Sequence, residues 1–456
     1  MHHRIVLNTV IIIIALFTSC KKDIKDKLPD IPGNEVQAIS KNNRVIYEIN
    51  VRNYSAAGNF AGVEKDLPRL KDLGIDILWL MPIHPIGVLN RQGTLGSPYA
   101  VKDYKSINPD LGTAADLTSL IQAAHKDGME VWLDWVGNHT AWDHPWVQQH
   151  LDYYAERNGQ RPYSPENWTD VVQLDYNNSN LRVAMIDALK YWVSEFNIDG
   201  YRCDAATFIP VSFWKEARQQ VDAVKPITWL CEGDNAAYME AFDYDYAWSF
   251  NTALNNLGSN TDVSKLVAAC NLLVGNPDYA KKGRMIYLTN HDLNAYDGTE
   301  ISRYGNNVLP LTVLYFTVYD MPLIYNGQEI GWNTSMNLFD ASPIDWQQGN
   351  MRYYKLFKKL TQLKRTQPAL ESGLNRVHLS RYTTNHDDKV FVYSKTKGNS
   401  EVLVMLNFSN NPVRFKLSSY SPNGAFYNFL SGERQTFSTT DPITLEANGY
   451  AIYVKQ

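Results

Sequence analysis

The sequence predicts an α/β chain built on a (β/α)8 (TIM) barrel. A short inserted domain follows the third strand, and an antiparallel β-sandwich closes the C-terminus. Three observations predict it. Short apolar runs alternate with amphipathic, helix-spaced segments from residue 43 onward, and eight strand signals can be counted. The rhythm stops for a polar, aromatic stretch between the third and fourth of them. After about residue 370 it changes to short alternating strands with Asn, Ser and Gly turns.

Taken in order, Val45 to Val51 is the first strand. Val63, Leu67, Leu70 and Leu73 share one face of a helix over 63–73. Ile75 to Met81 is almost wholly apolar, as a strand buried on both faces must be. A helix over Leu117 to His125 leads to the third strand, Met129 to Val136. Residues 137–180 read as an inserted domain. A helix from Leu181 to Phe196 then feeds a strand from Ile198 to Asp204. Further strands are expected at Pro226 to Cys231, Asp245 to Trp248, Met285 to Thr289 and Pro322 to Tyr325. The barrel thus spans 43–370 and the sandwich 371–456, with strands at Lys389 to Tyr393, Glu401 to Asn407, Val413 to Leu417 and Tyr450 to Val454.

The N-terminus reads as a targeting segment. His2, His3 and Arg4 precede an apolar stretch from Ile5 to Phe17, then Thr18-Ser19-Cys20. Such a stretch has the length of a signal-peptide core and is short for a membrane span. Small residues before a cysteine resemble a bacterial lipoprotein signal, so residues 1–20 are expected to be a signal peptide with Cys20 lipidated. Residues 21–42, polar and proline-containing, read as a flexible tether. The expected location is therefore exported and lipid-anchored to a bacterial membrane, at the outer membrane or cell surface.

Composition narrows the function. Of 456 residues, 44% are hydrophobic and 20% charged, which supports a large core and excludes general disorder. A net charge of −5 carries no electrostatic footprint for nucleic acid. With 28 Tyr and 12 Trp there are many flat side chains, suited to stacking on sugar rings as well as to filling a core. Cys203, Cys231 and Cys270 show no CxxC spacing, so free thiols are expected rather than a zinc site.

Barrel enzymes carry their chemistry at the C-terminal ends of strands. Those positions hold Asp134-Trp135-Val136-Gly137-Asn138-His139, then Arg202 and Asp204, then Glu232, then Asn290-His291-Asp292. Arg202 and Asp204 are two residues apart and share a strand face. A neighbouring guanidinium holds a carboxylate ionised, which suits Asp204 as a nucleophile. Glu232 follows the apolar Trp229-Leu230-Cys231, and burial there would raise its pKa, suiting a general acid. One ionised and one protonated carboxylate are what glycoside hydrolysis needs. His139 and His291 are placed to hydrogen-bond sugar hydroxyls, and Asp292 to grip two hydroxyls of a distorted ring. Asp134 and Asn138 read as scaffold for Arg202 and the following loop. Glu329 reads as a rim or scaffold residue, and His125 and His144 as surface residues.

These segments resemble the signature regions of the α-amylase family, glycoside hydrolase family 13. Asp134, Asn138 and His139 match the first region, Gly200, Arg202 and Asp204 the second, Glu232 the third, and His291 with Asp292 the fourth. Gln173-Leu174-Asp175-Tyr176-Asn177 resembles the region in the inserted domain, and Tyr99 falls where the family has a tyrosine stacking on the sugar. The resemblance spans about residues 43 to 456. It implies a retaining α-glucan hydrolase, α-amylase-like, cleaving α-1,4 bonds of starch or maltooligosaccharides through a covalent glycosyl-enzyme. It identifies Asp204, Glu232 and Asp292 as catalytic, and Tyr99, His139, Arg202 and His291 as substrate-binding. It also admits an oligosaccharide α-glucosidase, a neopullulanase-like enzyme or a glucosyltransferase. A non-catalytic glucan-binding lipoprotein is the reading from a different class, and the intact acidic triad argues against it. No cofactor is implied for the chemistry, and a monomer is expected. A structural calcium would use Asn138 and Asp175, but Ala205-Ala206-Thr207-Phe208 lacks the histidine and lysine that relatives carry there. The short insertion leaves a more open cleft, which favours endo-action.

Overall fold

The structure, a computed structural model, describes residues 43–258, 262–273, 282–418 and 420–455. The expected signal peptide, Cys20 and most of the tether lie outside the described residues. Eight parallel strands close a barrel: β1 (Ile46–Ile49), β2 (Ile77–Leu80), β3 (Glu130–Val136), β4 (Gly200–Asp204), β5 (Thr228–Cys231), β6 (Tyr244–Tyr246), β7 (Gly283–Ile286) and β8 (Met321–Tyr325). Each strand pairs with its sequence neighbours, and β8 closes on β1. All eight strand signals have their counterpart, with edges displaced by a few residues.

Strand alternation sorts the side chains into two cores. Ile46, Ile77, Trp79, Trp132, Leu230, Met285 and Leu323 fill the barrel interior. Tyr47, Leu78, Leu80, Leu133, Tyr201 and Trp229 face outward into the core shared with the helices. Each such side chain contributes roughly 1.5–3 kcal/mol on burial. Gly200 is required by the interior packing: a Cβ there would lie 2.6 Å from Cδ1 of Trp132.

The helix expected over 63–73 is two helices, Phe60–Glu64 and Leu67–Leu73. Pro68 sits in the first turn of the second, where its missing N–H breaks no hydrogen bond. The helix before β3 runs Ala114–Lys126 and starts on a Thr113–Asp116 capping box. The helix before β4, Ser179–Phe196, is capped by Asn178.

The inserted segment after β3 carries a hairpin, His139–Ala141 against Val171–Gln173. His144 corrects the surface expectation: it is buried, caps the helix Pro145–Gln149 and packs its ring on Trp146 at 4.6 Å. In the C-terminal domain, β9 (Ser380–Tyr382), β10 (Val390–Lys397), β11 (Ser400–Asn407), β12 (Val413–Phe415), β13 (Ala425–Asn428), β14 (Arg434–Thr436), β15 (Ile443–Leu445) and β16 (Tyr450–Lys455) are antiparallel. They form a six-stranded sheet, β9-β10-β11-β16-β13-β14, with β12 and β15 paired beside it. Lys395 Nζ reaches back to the Val318 carbonyl of the barrel at 2.8 Å.

Candidate active site

The mouth of the barrel is organised on one buried cation. Arg202 projects inward from β4 and is 0% exposed. Its Nη1 lies 2.8 Å from Asp134 and 3.0 Å from Asp204, and its Nη2 2.6 Å from Glu232. Nε donates to the Tyr246 hydroxyl at 3.1 Å. Trp79, Tyr99 and Tyr246 place their ring centroids 5.3 to 5.7 Å from the guanidinium carbon. A desolvated arginine is tolerated only with such partners. Asp134 on β3 and Asp204 on β4 reach it because the two strands pair in register, Asp134 beside Arg202.

A second chain of bonds runs through His291, beyond the end of β7. Its Nδ1 donates to Glu48 of β1 at 2.5 Å. Its Nε2 lies 2.7 Å from the Tyr99 hydroxyl and 3.3 Å from Asp292. The Tyr99 hydroxyl donates onward to Asp134 at 3.1 Å, and the two rings stack at 5.2 Å. Burial alone would lower the pKa of His291, but the Asp292 and Glu48 carboxylates outweigh it and raise it to about 9. The imidazole is therefore a cation with both N–H groups committed as donors. His139 is the opposite case: burial lowers it to about 4, so it is neutral. Asn138 Nδ2 lies 3.2 Å from His139 Nδ1, which assigns the proton to Nε2.

Burial also sets the carboxyl groups. It raises Asp204 to about 6 against the pull of Arg202, with the neighbouring Asp134 and Asp292 charges adding to the rise. It raises Glu232 to about 7, again against Arg202. The sequence pointed to Arg202 alone, which would hold Asp204 low; in the folded chain desolvation is the larger effect. The order survives: at neutral pH Asp204 is mostly ionised while Glu232 keeps much of its proton. Glu232 is oriented by the Ala205 N–H, 2.6 Å from Oε2.

Tyr99, His139, Asp204, Glu232, His291 and Asp292 line one cleft of about 410 Å3. Arg202 and Asp134 lie beneath it, bonded to that set. Glu329 is wholly buried and bonds Tyr47 at 2.5 Å and Arg69 at 2.8 Å, a scaffold position. His125 sits on Asp199 at 2.7 Å. Sequence reasoning missed Glu48, Trp79 and Tyr246. Glu48 carried a signal: it is a carboxylate inside an otherwise apolar strand, and a buried charge needs a partner.

Asn138 and Asp175 line a second cavity beside the hairpin. The donors around them do not fit a calcium cage. Gln173 Nε2 donates to Asn138 Oδ1 at 2.9 Å, to its carbonyl at 3.0 Å and to the Leu174 carbonyl at 3.1 Å. Asp175 Oδ1 accepts from the backbone and side chain of Asn177 at 3.0 and 2.8 Å. An amide nitrogen thus stands among the oxygens that a hard cation would need.

A closed parallel barrel with carboxyl groups gathered on a buried arginine at its C-terminal mouth defines a glycosidase-type hydrolase scaffold. The family is then shown by comparison. The profile of the alpha amylase catalytic domain matches residues 38–173 and 166–369, and the chain belongs to that family of glycoside hydrolases. Alpha-amylase MalA of Haloarcula japonica is 27% identical over 389 residues, covering 81% of this chain and 56% of that protein. This chain therefore spans little more than half the length of that relative. The maltogenic alpha-amylase of Bacillus acidopullulyticus is 26% identical over 424 residues, covering 87% and 70%. Among solved structures, the noncanonic maltogenic alpha-amylase AmyB from Thermotoga neapolitana superposes with a TM-score of 0.81 at 28% identity, covering 91% of this chain and 99% of that one. An alpha-amylase from Lactobacillus plantarum gives 0.79 at 30% identity with the same coverage.

Proposed function

We propose that the protein is a retaining α-glucan hydrolase acting on α-1,4 bonds of starch-derived chains. The observation that carries this is Arg202 holding Asp204 and Glu232 on its two terminal nitrogens. Two carboxyl groups held on one guanidinium supply the nucleophile and acid/base pair that a retaining mechanism uses. Asp204 attacks the anomeric carbon, and Glu232 gives its proton to the leaving oxygen. Glu232 then takes a proton from the water that releases the glycosyl-enzyme. Asp292 grips ring hydroxyls with the His291 cation beside it, Tyr99, held by His291, stacks on the same ring, and neutral His139 donates through Nε2. The hydrogen bonds to the reacting ring strengthen as positive charge develops on it. Relatives named as maltogenic amylase and cyclomaltodextrinase support the same substrate class.

Asp204→Asn is expected to lose hydrolysis of maltoheptaose by several orders of magnitude while keeping glucan binding. Undiminished turnover in that variant would end the assignment. Chromatography of products from starch, pullulan and isomaltose separates this reading from an α-1,6-acting or glucosyl-transferring one.

The same proposal extends to placement: the protein is exported, lipidated at Cys20 and anchored to a membrane. The support is the N-terminal sequence alone, Thr18-Ser19-Cys20 after an apolar core. Among the described residues no helix is long and apolar enough to cross a membrane. Cys20→Ser should move the protein from the membrane fraction to the soluble one; retention would refute the anchor.

A further inference from the structure

One border of the cleft is a loop fastened to its neighbours. Glu232 follows β5, which lies diametrically opposite β1 in the closed strand order. An acid that protonates the bridging oxygen stands on the leaving-group side, so the donor end of the chain points toward the loops after β1, β2 and β8. There the loop after β2 is fastened on both flanks. On one flank, Gln92 Nε2 donates to Asp170 of the inserted domain at 3.0 Å, and the Val88 N–H donates to Asp143 at 3.1 Å. On the other, the Leu95 and Gly96 N–H groups donate to the Phe339 carbonyl at 3.0 and 3.1 Å. The Thr94 N–H donates to Asp340 at 2.7 Å. Gly93, at φ +63°, presses so closely that a Cβ would lie 2.5 Å from Cβ of Phe339. Gln92, Asp170, Tyr296 and Phe339 all line the catalytic cleft.

We propose that the Gln92–Asp170 bridge walls off the donor end of the cleft and reads the hydroxyls of a non-reducing chain end, so that the enzyme releases short maltooligosaccharides from chain termini. The inference rests on Asp204 and Glu232 being the glycosidase pair. A cavity of about 410 Å3 lies near the lower end of small-ligand sites and has room for a short stretch of oligosaccharide. Gln92 offers a second amide hydrogen and Asp170 a second carboxylate oxygen, the donor and acceptor that a terminal 4-hydroxyl and its neighbour can use. Such a wall runs against the endo-action expected from the short insertion, since the loop after β2 would then close what the inserted domain leaves open.

The test uses the intact enzyme with two maltoheptaosides, one free and one blocked at the non-reducing 4- and 6-hydroxyls. The wild type is expected to cleave the free substrate and to act on the blocked one at least about tenfold more slowly. On amylose it should release reducing ends well before iodine staining falls. Gln92→Ala should raise the rate on the blocked substrate about tenfold and lengthen the products. On the free substrate the change should fall in KM rather than kcat. Asp170→Asn, which keeps the shape of the bridge, should shift the same measurements in the same direction. Equal wild-type rates on free and blocked substrate would overturn the wall and leave the glycosidase assignment standing. Failure to cleave either would overturn the assignment itself.

Discussion

Glu48 offers the sharpest test of the electrostatic reading, since it touches no substrate and acts only through His291. Glu48→Gln keeps the shape of the side chain, and its amide oxygen still accepts from Nδ1–H, but the charge is gone. His291 stands at about 9 in the fold, against an ordinary value of 6.5, although burial pulls the other way. That rise corresponds to about 3 kcal/mol favouring the imidazolium. Asp292 is the largest single attraction, and Glu48 adds both its charge and its hydrogen bond, so removing Glu48 should lower His291 by about one pKa unit or more. The sign for stability follows. A raised histidine stabilises the fold fully below its ordinary value of 6.5, and this is lost as pH rises through about 9. Burial raises the Glu48 pKa, so Glu48→Gln should cost stability mainly near neutral pH, where Glu48 is ionised and His291 is still protonated. At pH 7 a His291 lowered by about one unit is still roughly nine-tenths protonated, so kcat/KM should hold there and fall a few-fold further than in the wild type between about pH 8 and 9, where the cation beside Asp292 is depopulated. NMR titration of labelled histidine, assigned through His291→Gln, reads the shift directly. An unchanged His291 titration beside unchanged activity would refute the reasoning.

Two further outcomes can be stated. The pH profile of kcat/KM should be a narrow bell, because Asp204 must be ionised and Glu232 protonated. Activity should fall below about 6, as Asp204 gains its proton, and above about 7, as Glu232 loses its own, the two values belonging to the coupled pair. A plateau persisting above about pH 8 would exclude Glu232 as the acid. Gln173→Ala should lower the unfolding midpoint by removing the amide that ties the hairpin to Asn138, a loss of about 1–3 kcal/mol. EDTA should leave the wild-type midpoint unchanged; a fall of several degrees would show that a cation is required.

Much of the site was legible because strand geometry is local. A period of two puts Arg202 and Asp204 on one face, and an apolar run ending in Glu232 announces a carboxyl group at a strand end. The eight-strand rhythm and the later change to alternating strands likewise follow from which side chains each strand must bury. The break at Pro68 was also visible, but helical spacing continued through it and masked it.

What the chain order could not show is what meets across it. Glu48 and His291 are 243 residues apart, and Gln92 and Asp170 are 78 apart. The direction of the Asp204 shift was set by burial summed over several strands, not by the one neighbouring arginine. The amide of Gln173 beside Asn138 depends on hairpin register. Sequence determined which groups this protein carries and which face each one takes, because those are properties of neighbours along the backbone. Only tertiary structure decided their charge states and their partners, because desolvation and contact across the chain depend on everything packed nearby.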